Sequence, residues 1–214
     1  MPRGRVLLAD DHRMFAELLA RHLEPQFEIV GIIENGRELI EAAERLRPDV
    51  IVADISMPSL NGIEAARRIN KISHPPRIVF LTMYEDATFA KAAFQAGASG
   101  YVLKRSPAAE LLTAVQEAMR GHKFISPFVT GDLLQALMGE RQLAEELKPE
   151  LTSRQREILQ LLAEGKAPKE IAALLQISVR TVEFHKYRIM EATGAHTIAE
   201  LTRYAVTHGI VPAV

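Results

Sequence analysis

Short apolar runs alternate with amphipathic stretches over roughly the first 120 residues. Arg5–Ala9 is apolar and ends at Asp10-Asp11; 27–33, 49–53, 77–81 and 101–103 are further apolar runs, the third of them closed by Asp54, the fourth by Thr82 and the fifth by Lys104. Between them, 12–23 places Met14, Phe15, Leu18, Leu19 and Leu23 at helical spacing. Helices are also predicted over 38–46, 62–72, 87–96 and 107–120, with Pro48 stopping the first of these and Gly97 and Gly121 following the last two. Five strand–helix pairs whose strands lack polar alternation imply a parallel sheet covered on both faces. The expected fold is α/β, a doubly wound five-stranded parallel sheet of the flavodoxin-like kind, over residues 1–122.

Residues 123–150 read as a linker, broken at Pro127 and Gly131 and carrying its own helix over 132–147. From 151 to 214 the pattern is all helical, with periodic stretches at 153–164, 168–175, 179–192 and 197–208. The sequence 169–182 reads as helix, short turn, helix, with Ser178 as the N-cap of the second. Ile171, Leu174, Ile177 and Val182 are expected to form the shared core, and Thr152 or Ser153 to cap the first helix with Glu157 near its first turn.

Composition narrows the choices. The chain has 214 residues, a formal net charge of −1 and no cysteine, which excludes disulfides and thiolate metal sites. The longest apolar run near the start is too short for a secretory signal or a membrane span, so the expectation is a cytoplasmic protein with no membrane partner. Bulk charge says nothing for a nucleic-acid partner, so any DNA contact must come from where the cations stand.

The chemistry lies at the strand ends. A parallel sheet brings Asp10, Asp11, Asp54, Thr82 and Lys104 to one edge. Three carboxylates in one place repel, and Lys104 with a hard divalent cation such as Mg²⁺ would compensate them. A carboxylate beside such a cation can attack a phosphoryl group, with Lys104 neutralising the phosphoryl oxygens and Thr82 donating a hydrogen bond to one of them. In the helical part, a helix entering the major groove needs outward side chains that reach bases and phosphates. With Val182, His185 and Ile189 turned inward, Arg180, Thr181, Glu183, Phe184, Lys186, Tyr187, Arg188 and Met190 are the candidates: Arg180, Thr181, Lys186 and Arg188 for phosphates, Glu183 for a cytosine amino group, Phe184 for a thymine methyl.

Asp10-Asp11, Asp54-Ile55-Ser56-Met57-Pro58, Asn61-Gly62, Leu81-Thr82 and Gly100-Tyr101-Val102-Leu103-Lys104 resemble the receiver domain of bacterial response regulators over residues 4–122. Leu-Thr-x-Arg-x-x-Glu-Ile-Leu at 151–159, Lys-Glu-Ile-Ala at 169–172 and Ile-Ser-x-x-Thr-Val at 177–182 resemble the LuxR-type helix-turn-helix of NarL/FixJ response regulators. The resemblance implies that Asp54 is the phospho-acceptor, that Asp11 ligates Mg²⁺ with Asp10 acting through water, and that the backbone carbonyl of Ser56 completes the metal set. It implies that Thr82 and Lys104 sense the phosphate, that Tyr101 is the switch aromatic, and that a sensor histidine kinase, double-stranded DNA and a second copy of the active chain are the partners. Three departures stand out: Arg105 where many receivers have proline, Glu183 where many relatives have lysine, and Ala192-Thr193-Gly194 where a lysine-leucine-glycine run is commoner. The competing class is an aspartyl-phosphate-forming phosphatase; Ser56 stands where such an enzyme would carry a second aspartate as general acid.

Overall fold

The computed structural model describes residues 3–131 and 151–211; the helix expected over 132–147 lies outside the described residues. The chain divides into two compact units, Met1–Ala136 and Leu137–Val214.

The first unit alternates β1 (Arg5–Ala9), α1 (Arg13–Leu23), β2 (Glu28–Ile33), α2 (Gly36–Leu46), β3 (Val50–Ala53), α3 (Gly62–Ile69), β4 (Arg77–Thr82), α4 (Ala87–Gln95), β5 (Gly100–Leu103) and α5 (Ala108–Met119). The sheet is parallel in the order β2-β1-β3-β4-β5-β6. The expected five strands become six, because β6 (Phe124–Ile125) pairs with β5, Tyr101 opposite Ile125. Two residues are too few to show a period, so only pairing reveals this strand.

Successive side chains of a strand point to opposite faces, and this sorts the core into two layers. Leu7, Ala9, Ile51, Ala53, Ile78, Phe80 and Tyr101 pack on the side of α2, α3 and α4. Val6, Leu8, Val50, Val52, Val79, Leu81 and Val102 pack on the side of α1 and α5. Both layers are closed to water, which explains why the strands show no polar alternation. On α1 the apolar positions do not all turn inward. Ala16, Ala20 and Leu23 are buried, whereas Met14 and Leu18 are exposed. Helix α3 ends at Ile69, not at 72, because Lys71 and Ile72 donate to carbonyls three residues back and Asn70 Nδ2 donates to Ala96 O at 2.6 Å.

Loops at the carboxyl ends of the strands are shaped by caps. Asn35, Asn61 and Asp86 accept from first-turn N–H groups of α2, α3 and α4. Gly62 sits where a Cβ would lie 2.1 Å from the Asp54 carbonyl oxygen, so only glycine lets α3 begin this close to β3.

The second unit packs α6 (Ser153–Ala163), α7 (Pro168–Leu175), α8 (Val179–Thr193) and α9 (Ile198–Thr207) around Ile158, Leu159, Leu161, Ile171, Val182, Ile189 and Leu201. The capping box of α6 is Thr152 with Gln155, not Glu157. Glu157 is fully buried and pairs with Arg154 at 2.9 Å, and Arg154 also donates to the carbonyl of Leu175 at the end of α7. Leu174 was expected in the core but is 42% exposed; Leu175 is buried in its place, since Ile171, Ala172 and Leu175 form the inward stripe of α7. Ser178 caps α8, accepting from Thr181 N at 3.0 Å. Among the described residues, no helix is long and apolar enough to cross a membrane.

Candidate functional site

The carboxyl ends of β1, β3 and β5 bring Asp10, Asp54 and Lys104 into contact. Lys104 Nζ lies 2.6 Å from Asp10 Oδ2 and 2.7 Å from Asp54 Oδ2. Asp10 and Asp54 retain only 3% and 5% of their exposure, so this is a nearly dry triad. The parallel register produces it: Ala9 stands opposite Ala53, so the residues that follow both strands emerge side by side. Burial raises the pKa of Asp54, and the Lys104 charge and hydrogen bond lower it only in part. Burial pulls Lys104 down, but Asp54 and Asp10 outweigh it and hold the ammonium above its ordinary value. Together these leave a charged ammonium beside a carboxyl that is costly to ionise.

Asp11 stands at the rim, exposed, with His12 Nδ1 3.0 Å from its Oδ1. Ligating atoms of Asp10, Asp11 and His12 lie within 4.8 Å of one another. Ser56 N donates to Asp54 Oδ1 over a long 3.3 Å, which keeps the Ser56 backbone beside that carboxylate. The carboxylates of Asp10 and Asp11 are hard oxygen donors of the kind Mg²⁺ takes, and His12 adds a nitrogen to the same cluster.

Thr82 closes β4 with no exposure; its carbonyl accepts from Lys104 N at 2.8 Å, and its Oγ1 accepts from Tyr84 N at 3.4 Å. Tyr101 is fully buried and its hydroxyl donates to the Tyr84 carbonyl at 2.7 Å. Burial and neighbouring acidic groups push its pKa far up, so it stays a neutral donor. Tyr84 escaped notice in the sequence. It stacks on Phe89 with ring centroids 4.4 Å apart. One signal could have pointed to it: an aromatic two residues past a strand-end threonine stands on the rim that also carries the carboxylates. Phe15 reads in the sequence only as part of the apolar stripe of α1, yet its ring centroid lies 4.8 Å from Lys104 Nζ.

In the second unit, Val182 and Ile189 of α8 are buried and His185 is half-buried, as the helical period requires. Arg180, Glu183, Phe184, Tyr187 and Arg188 are exposed, Phe184 and Tyr187 at 60% and 66%. Thr181 and Lys186 are half-buried, and Met190 packs against the core instead of facing out. The helix largely neutralises its own cations: Lys186 pairs with Glu183 at 3.1 Å and Arg188 with Glu191 at 2.8 Å. Two exposed aromatics on a helix otherwise held by a packed core are available for contact with a partner surface.

Comparison with known proteins agrees with both halves. Residues 6–116 match the response regulator receiver domain family, and residues 149–205 match the bacterial regulatory proteins of the luxR family. The chain is 37% identical to the transcriptional regulatory protein LiaR of Bacillus subtilis, over 97% of this chain and 99% of that protein. It is 35% identical to the transcriptional regulatory protein MctR of Rhizobium johnstonii, over 98% of this chain and 96% of that one. Among solved structures, RcsB of Salmonella typhimurium superposes with a TM-score of 0.65 at 26% identity, covering 97% of this chain and 99% of that one. RcsB of Salmonella enterica serovar Typhimurium bound to a promoter in the presence of phosphomimetic BeF3⁻ gives 0.61 at 26% identity, covering 98% and 100%.

Proposed function

The chain belongs to the two-component response regulators that join a receiver domain to a LuxR-type DNA-binding domain, and from that premise we propose that Asp54 accepts a phosphoryl group from a sensor histidine kinase and thereby controls self-association and transcriptional DNA binding in the cytoplasm. We take the domains to run 1–122 and 151–214, with 123–150 as a linker whose residues 124–129 still pack on the first domain. The observation that carries the reading is the shared contact of Lys104 Nζ with Asp10 and Asp54 at 2.6 and 2.7 Å.

Asp54 is the nucleophile. As its oxygen bonds to phosphorus, the bond from phosphorus to the donor's imidazole nitrogen breaks, and the electron pair leaves with the imidazole. Lys104 is already charged beside that oxygen, so it can meet the phosphoryl oxygens without a proton moving. Asp10, Asp11, Asp54 and the Ser56 carbonyl would hold Mg²⁺, which when bound supplies charge neutralisation for the phosphoryl oxygens. Among the described residues the Thr82 Oγ1 accepts only a long 3.4 Å contact from Tyr84 N, so turning toward a phosphoryl oxygen costs it little. The Tyr84 backbone links that movement to Tyr101 through the 2.7 Å hydrogen bond. The chain is a phospho-acceptor, not a turnover enzyme: Ser56 cannot serve as the general acid a phosphomonoesterase needs.

In the second unit α8 is the recognition helix. Arg180, Thr181, Lys186 and Arg188 contact phosphates, while Glu183, Phe184 and Tyr187 face base edges. Lys186 and Arg188 exchange their glutamate partners for phosphate oxygens on binding, which lowers the net gain per cation. One helix of this size binds weakly, so two copies reading paired half-sites supply the affinity.

Intact-mass measurement after incubation with a small phosphodonor and Mg²⁺ tests the acceptor. Wild type gains one phosphoryl group and Asp54→Ala gains none; an adduct on the alanine variant would refute the assignment. Promoter binding against salt tests α8, with Lys186→Ala and Arg188→Ala each expected to weaken binding and flatten the salt slope by about one.

A further inference from the structure

Lys104 has a third contact that phosphotransfer as described does not use. Its ammonium touches Asp10 and Asp54 and also stands 4.8 Å from the centroid of Phe15, a half-buried residue of α1 that packs against the layer beneath the sheet. A lysine stem is long and flexible, and its charge is drawn toward water. Two carboxylates restrain the nitrogen on two sides; the negative face of the ring takes a third. We propose that Phe15 is a positioning residue, whose π face keeps Lys104 between Asp10 and Asp54 at the place where it meets an arriving phosphoryl group. This rests on Asp54 being the phospho-acceptor.

Leucine and methionine at position 15 fill much of the volume but lack the quadrupole; tyrosine keeps it. Full-length Phe15→Leu, Phe15→Met and Phe15→Tyr are compared with wild type in phosphorylation by a small phosphodonor, and Lys104 is followed by NMR in the unmodified proteins. The two aliphatic variants slow phosphorylation about three- to tenfold, and the ring-current shift of the Lys104 ε-methylene disappears. Tyrosine restores both. Wild-type rates in the aliphatic variants, or equal slowing in all three, would overturn the proposal. If wild type itself takes up no phosphoryl group, the assignment of Asp54 fails, and the ε-methylene shift still decides whether the ring holds the ammonium.

A separate observation concerns Arg105, the residue that departs from the usual proline. Its Nη2 lies 2.6 Å from Glu85 Oε2, on the loop after Thr82, and its guanidinium carbon lies 5.1 Å from the centroid of Phe128, in the helical residues 127–131. That outgoing segment is also fastened from within. Ser126 is fully buried; its N–H donates to the Tyr101 carbonyl at 2.9 Å, and its hydroxyl donates to Glu110 at 2.6 Å and lies 2.9 Å from the Ser106 hydroxyl. Val129 is buried in the same layer as Tyr101. We further infer that Arg105 couples the Thr82–Glu85 loop to residues 124–131, so that rearrangement around Asp54 changes how firmly the chain leaving the receiver is held. This too deepens the phosphorylation reading.

Both Arg105 contacts are solvent-facing and individually weak, so the expected effect is on local opening, not on global stability. Hydrogen exchange of the full-length chain reads it directly. Arg105→Ala and Glu85→Gln speed exchange of the 124–131 amides about three- to tenfold at unchanged melting temperature, and beryllofluoride with Mg²⁺ alters the same amides in wild type more than in either variant. Unchanged exchange in Arg105→Ala overturns the coupling. Absence of any beryllofluoride response around Asp54 in wild type overturns phosphorylation instead, and leaves the result for the unmodified variants to decide the contact.

Discussion

Replacing Lys104 with methionine keeps the stem and removes only the charge. In the native site the ammonium serves Asp10 at 2.6 Å and Asp54 at 2.7 Å, both almost fully buried. At the effective dielectric suited to such sites, each contact is worth on the order of 6 kcal/mol before desolvation is subtracted. Taking one partner from a buried ionic group leaves a net loss of about 3–5 kcal/mol. Here the loss has an escape: one of the two stranded carboxyls can bind a proton. A carboxyl whose folded pKa lies above its unfolded value takes up that proton first in the folded state. The penalty is therefore small below about pH 4, near the unfolded value, and grows as pH rises toward the raised folded pKa. Burial already holds Asp54 above its ordinary value with Lys104 in place, so the variant carries the shift further in the same direction. Urea unfolding of wild type, Lys104→Met and Lys104→Met/Asp10→Asn from pH 5 to pH 8 measures it. The single variant should lose about 3 kcal/mol at pH 7, regain about half of it by pH 5, and recover at pH 7 when Asp10 is also neutralised. Added Mg²⁺ should stabilise the single variant more than wild type. A single variant as stable as wild type, or a penalty that does not change with pH, would refute the reasoning.

Other expectations follow from single contacts. Gly62→Ala forces a Cβ to within 2.1 Å of the Asp54 carbonyl, so the variant should lose about 1–3 kcal/mol by thermal unfolding and slow phosphodonor labelling of Asp54. Ser178→Ala removes the acceptor for Thr181 N and should cost the helical unit about 1 kcal/mol by chemical denaturation. Phe184→Ala and Tyr187→Ala, at exposed positions, should leave unfolding within about 0.5 kcal/mol of wild type while weakening promoter binding in a gel-shift titration. Arg154→Met removes one cation from buried Glu157 and the bond to the Leu175 carbonyl, and should destabilise the helical unit by about 1–3 kcal/mol in urea unfolding.

Hydrophobic period and chain punctuation were enough to place β1 through β5, their helices and the helix-turn-helix, because burial on two faces writes itself as unbroken apolar runs and burial on one face as a helical stripe. The same reading put Asp10, Asp11, Asp54, Thr82 and Lys104 on one edge, since parallel strands end on one side. What it left undecided were the facts that depend on pairing partners distant in the chain. Strand β6 is two residues long and exists only because β5 offers it an edge. Met14, Leu18 and Leu174 look like core by type, yet they stand exposed among the described residues. The ring of Phe15 over Lys104, the hydroxyl of Tyr101 on Tyr84 and the reach of Arg105 from Glu85 to Phe128 join segments 17 to 89 residues apart, or bridge two loops at once. A local pattern records how each residue meets water; it does not record which distant side chain will meet it once the water is gone.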